Sequence, residues 1–255
     1  MAKHKDTRPI DRRIAADVRA RIMSGDLASG EKLPITTELM EHYGVSNQTV
    51  QRALNLLKAE GYLEGKSGRG VYVRNEPQQA FDTAATQHPA AAGEQYTWLT
   101  EAARQGKIGL NQILAVEEVV PPAQVRRAFG LADDGTAILR KRLMLLDGEP
   151  AELCWSYYPL EIAVNSPLTE RKKIRGGSPR LLADMGFPPR EAIDQVSWRQ
   201  PTEEEFLTLA LPTEVPVGRT FRVVYSDEQR PIEASILIKA GHKYALLYRI
   251  PVPTG

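Results

Sequence analysis

The chain has 255 residues, 42% hydrophobic and 25% charged, which suits two domains of ordinary size, and no apolar run approaches the roughly 20 residues a membrane-spanning helix needs. The N-terminus MAKHKDTRPIDRR lacks the apolar segment of a secretion signal, so a cytoplasmic protein without membrane attachment is expected. A net charge of +1 hides an asymmetry: residues 1–75 carry 13 Lys/Arg against 9 Asp/Glu, net +4, and the remainder is net −3, so a polyanion partner for the N-terminal part competes with a merely solvated basic face.

In IDRRIAADVRARIMSGDL, Ile10, Ile14, Val18 and Ile22 recur every four residues and line one face of a helix that Gly25 ends. ASGEKLPITTELMEHYG predicts a short second helix with Thr36 as N-cap, Leu39 and Met40 inward, and Gly44 closing it. A third helix follows in EHYGVSNQTVQRALNLLKAEGYL. Ser46 is its N-cap; Val50, Ala53, Leu54 and Leu57 face inward, leaving Asn47, Gln48, Gln51, Arg52 and Asn55 outward. YLEGKSGRGVYV is then a hairpin whose glycine-rich tip runs from Gly65 to Gly70. Three short helices and a hairpin make a winged helix-turn-helix, whose second motif helix enters the major groove. The competing reading is a generic three-helix domain with a polar outer helix.

Residues 76–95 show no helical or strand period and read as a linker between a domain at 1–75 and another at 96–255. A flexible chain of that length spans of order 25 Å. Beyond it, NQILAVEEVVPP alternates as a strand, AQVRRAFGL is a short helix, and AILRKRLMLLDGEPAELCWSYYPLEIA is a hairpin turning at Asp147-Gly148. PTEEEFLTLALP is a helix with Thr202 as N-cap and Glu205 closing a capping box. Phe221, Val223 and Tyr225 begin a second hairpin that turns at 227–230 and returns through Ile232 to Ile238. The fold class expected is α+β, helices on an antiparallel sheet. Cys154 is the single cysteine, and neither it nor the four histidines has metal-ligand spacing, so no metal or other cofactor is expected.

The segments IAADVRARIMSGDLASGEKLP, YGVSNQTVQRALNLLKAEGYL and GRGVYV, about 60 residues in register, resemble the GntR family of bacterial transcription factors. Where that family commonly carries DNA-contacting arginines, this chain has Thr37, Asn47 and Gln51. Amide side chains pair with adenine N6 and N7, whereas arginine reads guanine. Gln48 and Gln51, with Asn47, are therefore expected to read A·T-containing steps, while Ser46, Thr49, Lys66 and Arg69 hold phosphates. Arg52 is open to a base contact, a phosphate contact or solvent, and Gly70 belongs to the wing tip.

The second half resembles the UTRA ligand-sensing domain of the HutC-like branch, similar in fold to chorismate lyase, over roughly Ile113 to Pro251. LAVEEVVPP, LRKRLMLLDGEP, SYYP, SPRLLADMG, RQPTEEEFLTLALP and RVVYSDEQRPIEASI carry that likeness through their order. The resemblance implies a cleft for a small-molecule effector and a homodimer that binds a double-stranded DNA operator.

Relatives that sense phosphosugars imply an arginine at Arg142 and a second one where this chain has Met144; a glutamate is frequent where it has Cys154. Ser178 matches a helix-start serine, and KKIRGGSPRLL, with Lys173, Arg175 and Arg180, suits an anion or is a solvated basic loop. Glu233 is a ligand acceptor or a sheet-surface carboxylate. Trp155 and Tyr157 are expected to face opposite sides of their strand, one into the cleft and one into the core. An effector with at most one anionic group and some apolar body is expected. An enzyme related to the lyase fold has no positioned nucleophile and base here; a regulator blind to ligands is a further alternative.

Overall fold

The computed structural model describes residues 6–74, 79–82, 89–91 and 94–248. The chain divides into two compact units, Met1–Gln78 and Gln79–Gly255.

The first unit holds helices α1 (Ile10–Ser24), α2 (Thr36–Tyr43) and α3 (Asn47–Ala59) and the hairpin β1 (Leu63–Lys66) and β2 (Gly70–Val73). Gly25 adopts a left-handed φ of 86° that lets the chain leave α1. Ile14, Val18 and Ile22 are buried as the spacing requires, whereas Ile10, in the first turn, is exposed. They pack with Leu39, Val50, Ala53, Leu54, Leu57, Leu63 and Val73 in one core. Polar ties hold the helices in place. Arg19 on α1 donates from Nε and Nη2 to the buried Glu60 carboxylate at 2.8 and 2.5 Å, and the Tyr43 hydroxyl donates to Asp17 at 2.6 Å. Lys32 bridges to Tyr72, so the strand before α2 joins the edge of the hairpin.

Helix α2 starts one residue earlier than expected, at Thr36 itself, so Thr36 is its first residue and not its cap. Ile35 is the cap residue, and its N–H is satisfied by the Glu38 carboxylate at 3.0 Å. The Thr36 hydroxyl is engaged elsewhere, by Gln51 on α3.

In the second unit, six antiparallel strands form one sheet in the order β4-β5-β6-β9-β8-β7. They are β4 (Gly109–Val119), β5 (Ala137–Leu146), β6 (Glu149–Pro159), β7 (Glu191–Arg199), β8 (Val217–Tyr225) and β9 (Pro231–Ala240). Asp147 and Gly148 both have positive φ, 52° and 83°, the geometry of a tight two-residue hairpin turn. Helices α5 (Ala123–Phe129) and α8 (Glu203–Thr208) cover one face, where Leu139, Leu143, Leu153, Tyr157, Phe221, Val223 and Ile238 are buried in apolar clusters. Thr202 caps α8 and Glu205 returns the bond, as its sequence predicts.

The opposite face meets α4 (Thr97–Arg104), α6 (Leu160–Ala163) and α7 (Gly177–Asp184), and there the buried residues include Arg140, Arg142, Glu152, Ser156, Arg222, Glu233 and Lys239. Two strands lie apart from the six. β3 (Gln79–Asp82) pairs in parallel with β10 (Tyr244–Leu247), so part of the stretch expected as linker is strand within this unit. The rest of 76–95 lies mostly outside the described residues.

His242, in the turn between β9 and β10, is buried with its Nδ1 unpartnered among the described residues. Burial, reinforced by the neighbouring Lys243 charge, pushes its pKa from 6.5 down to about 4, against a weaker opposing pull from Glu149. The folded imidazole is neutral and takes up a proton on unfolding. Its stabilising contribution is complete above pH 6.5 and is lost as pH falls toward about 4. The melting temperature of this unit is expected to drop between pH 7.5 and pH 5, and His242→Gln to flatten that drop; scanning calorimetry at both pH values checks it.

Candidate nucleic-acid interface and effector cavity

Helix α3 begins with a built cap: Ser46 Oγ accepts the Thr49 N–H at 3.4 Å and lies 3.1 Å from the Thr49 hydroxyl. Its inner stripe is buried, and Asn47, Gln48, Arg52 and Asn55 are exposed. Gln51 is half-buried and donates from Nε2 to Thr36 Oγ1 at 3.2 Å. Thr37 is exposed in the first turn of α2. At the wing tip Lys66, Arg69 and Gly70 are exposed. The Lys66 ammonium sits 4.5 Å from the centroid of the Tyr72 ring and 3.2 Å from Glu64. Gly70 has a φ of 116°, a conformation that L side chains rarely adopt, so this position at the wing tip favours glycine. The ten residues expected to meet DNA thus fall on α3, the start of α2 and the wing of one small unit.

In the second unit a partly open cavity lies on the polar face of the sheet. Strands β4, β5 and β6 supply Asn111, Ile113, Arg140, Arg142 and Tyr158 to its wall, and Lys173, Ile174, Gly177 and Ser178 come from the approach to α7. Tyr96 closes one side. Its ring packs so tightly on Gly177 that a Cβ at that position would lie 2.4 Å from Cδ2.

The two arginines differ in what they do. Arg140 is saturated: Nη1 donates to the carbonyls of Pro167, Leu168 and Glu170, and Nη2 to that of Lys172, at 2.7 to 3.3 Å. It clamps the loop that carries Lys173 and Ile174 into the cavity wall. Arg142 donates from Nη2 to Ser156 Oγ at 2.9 Å and to Cys154 Sγ at 3.2 Å, while its Nε has no partner. Among the described residues no carboxylate meets Arg142 directly. Ser156 and Ser235 lie between it and Glu233, at 2.7 Å per step, and Glu233 accepts from Ser178 at 3.1 Å. Burial pushes Tyr96 up to about 12 and raises Tyr158 and the Cys154 thiol, so these neighbours stay neutral near pH 7 and supply no countercharge.

Asn111 Oδ1, Arg142 Nε and the Tyr158 hydroxyl are buried polar atoms that make no well-formed hydrogen bond among the described residues, Ser178 approaching the Tyr158 hydroxyl without good geometry, and all three residues line this cavity. Such orphaned atoms are rare, each costing about 1–3 kcal/mol unless something else satisfies it. The wall offers cationic donors and one amide acceptor and no carboxylate, which suits an anion that also carries a hydroxyl or amine.

Of the residues expected to bind an effector, Arg142 and Ser178 line the cavity, and Cys154 and Glu233 are hydrogen-bonded directly behind them. The others lie elsewhere. Met144 is buried with Trp98, Ala102 and Tyr244; Arg175 is exposed; Arg180 pairs with Asp184 at 2.8 Å. Trp155 and Tyr157 require a correction. Residues two apart on a strand share a face, and both pack on the apolar side under α5 and α8, away from the cavity. Sequence reasoning missed Asn111, Ile113, Arg140, Tyr158 and Tyr96. For Arg140 and Tyr158 the signal was available, since each is two residues from a position on the cavity face of its own strand.

Two family models match the chain: bacterial regulatory proteins of the gntR family over residues 10–73, and the UTRA domain over residues 104–245. A helix-turn-helix transcriptional regulator of Streptomyces coelicolor is 28% identical over 253 residues, spanning 95% of this chain and 93% of the relative. The mannosyl-D-glycerate transport/metabolism system repressor MngR of Escherichia coli is 39% identical over 69 residues, 27% of this chain and 29% of that protein. PhnF from Mycobacterium smegmatis superposes with a TM-score of 0.60 at 18% identity, covering 94% of this chain and all of that one, a likeness of fold.

Replacing Arg140 by Met is expected to destabilise the second unit by about 2–4 kcal/mol, because several carbonyls lose their donor together. Arg142→Met removes a buried charge that has no carboxylate beside it and is expected to leave the melting temperature unchanged or higher. Thermal denaturation of the two variants side by side checks the contrast.

Proposed function

Since the chain belongs to the gntR family of bacterial regulatory proteins and carries a UTRA domain, a DNA-binding transcription regulator and not an enzyme, we propose that it is a dimeric repressor released from an inverted-repeat operator by a small anionic effector. The observation that carries the effector half of this reading is the group of three orphaned buried polar atoms around one cavity. A ligand with one anionic group, a hydroxyl or amine, and a small apolar body would satisfy Arg142 and Tyr158 with its acceptors and Asn111 with its donor, beside Ile113 and Ile174. Lys173 and the first turn of α7 add positive potential at the mouth.

For the DNA half, Asn47, Gln48, Gln51 and Arg52 are proposed to face bases, and Thr37, Ser46, Thr49, Lys66, Arg69 and the Gly70 wing tip to meet the backbone. The repressor assignment draws on MngR, a named repressor similar to this chain over 69 residues. Dimerisation through the second unit is favoured by the edge strand β7, which leaves Ile193 and Trp198 exposed. Residues 1–75 are proposed as the head and the unit Gln79–Gly255, which includes β3, as the effector domain. Ligand binding would then change the spacing of two heads relative to successive major grooves.

Selection of randomised duplex DNA by the full chain, followed by sedimentation of the complex, tests this. An enriched inverted repeat bound by two chains, with affinity lowered by one member of a panel of phosphate esters and hydroxycarboxylates, is the expected result. Enrichment of a single half-site bound by one chain, or operator affinity indifferent to the whole panel, would contradict it.

A further inference from the structure

The recognition helix carries four exposed polar residues and one that is held. Asn47, Gln48, Arg52 and Asn55 are exposed, whereas Gln51 is half-buried and donates from Nε2 to the Thr36 hydroxyl at 3.2 Å. Thr36 is the first residue of α2 and Ile35 the cap residue, so the Thr36 hydroxyl does not serve as that helix's N-cap. A side chain outside the recognition helix is therefore committed to orienting one on it.

The chemistry of a primary amide gives that contact a consequence. Gln51 has two N–H donors on Nε2 and one acceptor, Oε1. An unrestrained glutamine presents either end of its amide. In the structure Thr36 Oγ1 accepts, so Nε2 lies on the Thr36 side. One N–H is used, and the other remains beside Oε1 as an adjacent donor and acceptor. Adenine offers the complementary pair on its major-groove edge, N7 accepting and N6 donating; guanine offers two acceptors, N7 and O6. An amide fixed with its oxygen available matches adenine and places an acceptor against guanine O6. Holding the amide before DNA arrives also removes rotamer freedom that binding would otherwise have to restrain.

We propose that Thr36 is a positioning residue that makes Gln51 specific for adenine, so that the base preference at this operator position is set by a pair of side chains from two helices. This inference rests on the DNA-binding reading above and deepens it.

The test is selection on randomised duplex DNA with the full-length wild type, Thr36→Ser, Thr36→Val, Thr36→Ala and Gln51→Ala, with melting temperatures recorded for each. The wild type is expected to prefer adenine at one position of each half-site by about tenfold. Thr36→Ser, which keeps the hydroxyl, retains that preference. Thr36→Val, Thr36→Ala and Gln51→Ala each lose it at that same position and keep the preferences elsewhere. Thr36→Ala serves as the hydroxyl-free variant should the valine disturb the start of α2.

A preference that survives both hydroxyl-free variants but disappears in Gln51→Ala overturns the role of Thr36 and leaves Gln51 as a reader. Guanine at the Gln51-dependent position overturns the amide orientation. Equal weakening at every position in the Thr36 variants marks a merely structural contact and also overturns the proposal. If the wild type enriches no sequence, the inference and the sequence-specific reading beneath it fall together.

Discussion

A guanidinium taken out of water needs a countercharge or a full set of acceptors, and Arg142 has neither. Its partners are a serine hydroxyl and a thiol, and Glu233 reaches it only through Ser156 and Ser235. The surroundings of the second unit follow from accommodating that charge. One face of the sheet is apolar and closed by α5 and α8. The other face gathers the buried charges, among them the bidentate Arg222–Asp194 pair at 2.5 Å and Lys239–Glu152 at 3.4 Å. Those pairs are compensated on the spot, and Arg142 stands out beside them. Arg140, two residues along the same strand, shows what a satisfied buried arginine looks like, with donors on four loop carbonyls. One arginine fixes the loop that completes the cavity. The other is left for what enters it.

The first unit shows the same division of labour on a smaller scale. Its core, its Ser46 cap and the Arg19–Glu60 pair hold α3 at a fixed pitch and leave a row of amides outward. Thr36 then orients one amide of that row. A serine or threonine hydroxyl thus mediates the key contact in both units: Ser156 and Ser235 relay between Arg142 and Glu233, and Thr36 turns Gln51.

The parts legible in the sequence are those whose determinants are local. The stripe Val50, Ala53, Leu54, Leu57, the Ser46 cap, the Asp147-Gly148 turn and the Thr202–Glu205 capping box each depend on residues within a turn or two, and each is where the sequence places it. Strand β7 was missed because it lies at a sheet edge, exposed along most of its length, and so has no alternation to betray it. Part of the cavity was hidden for a different reason. Asn111, Ile113 and Tyr96 meet the other wall residues only after β4, β5, β6 and the approach to α7 are assembled, and nothing in their spacing along the chain reports that, whereas Arg140 and Tyr158 follow from strand parity and Lys173 stands in the basic segment that the sequence marks for an anion. Trp155 and Tyr157 were misplaced through parity, although the strand itself was identified. Thr36 fits a cap position in the sequence, but Ile35 is the cap residue and Thr36 the first residue of the helix, which leaves the hydroxyl for a contact 15 residues away.

Arg142 is the group in the second unit that an incoming anion would satisfy. The direct measurement is the melting temperature of the second unit's transition in the full-length protein, followed at constant ionic strength as inorganic phosphate, phosphate esters and hydroxycarboxylates are added singly to the wild type and to Arg142→Met. A ligand bound by the folded form alone raises that temperature as it saturates its site. The account predicts a saturating rise with at least one of these anions in the wild type and none in Arg142→Met. An equal rise in both proteins, or no rise with any of them in the wild type, would contradict it.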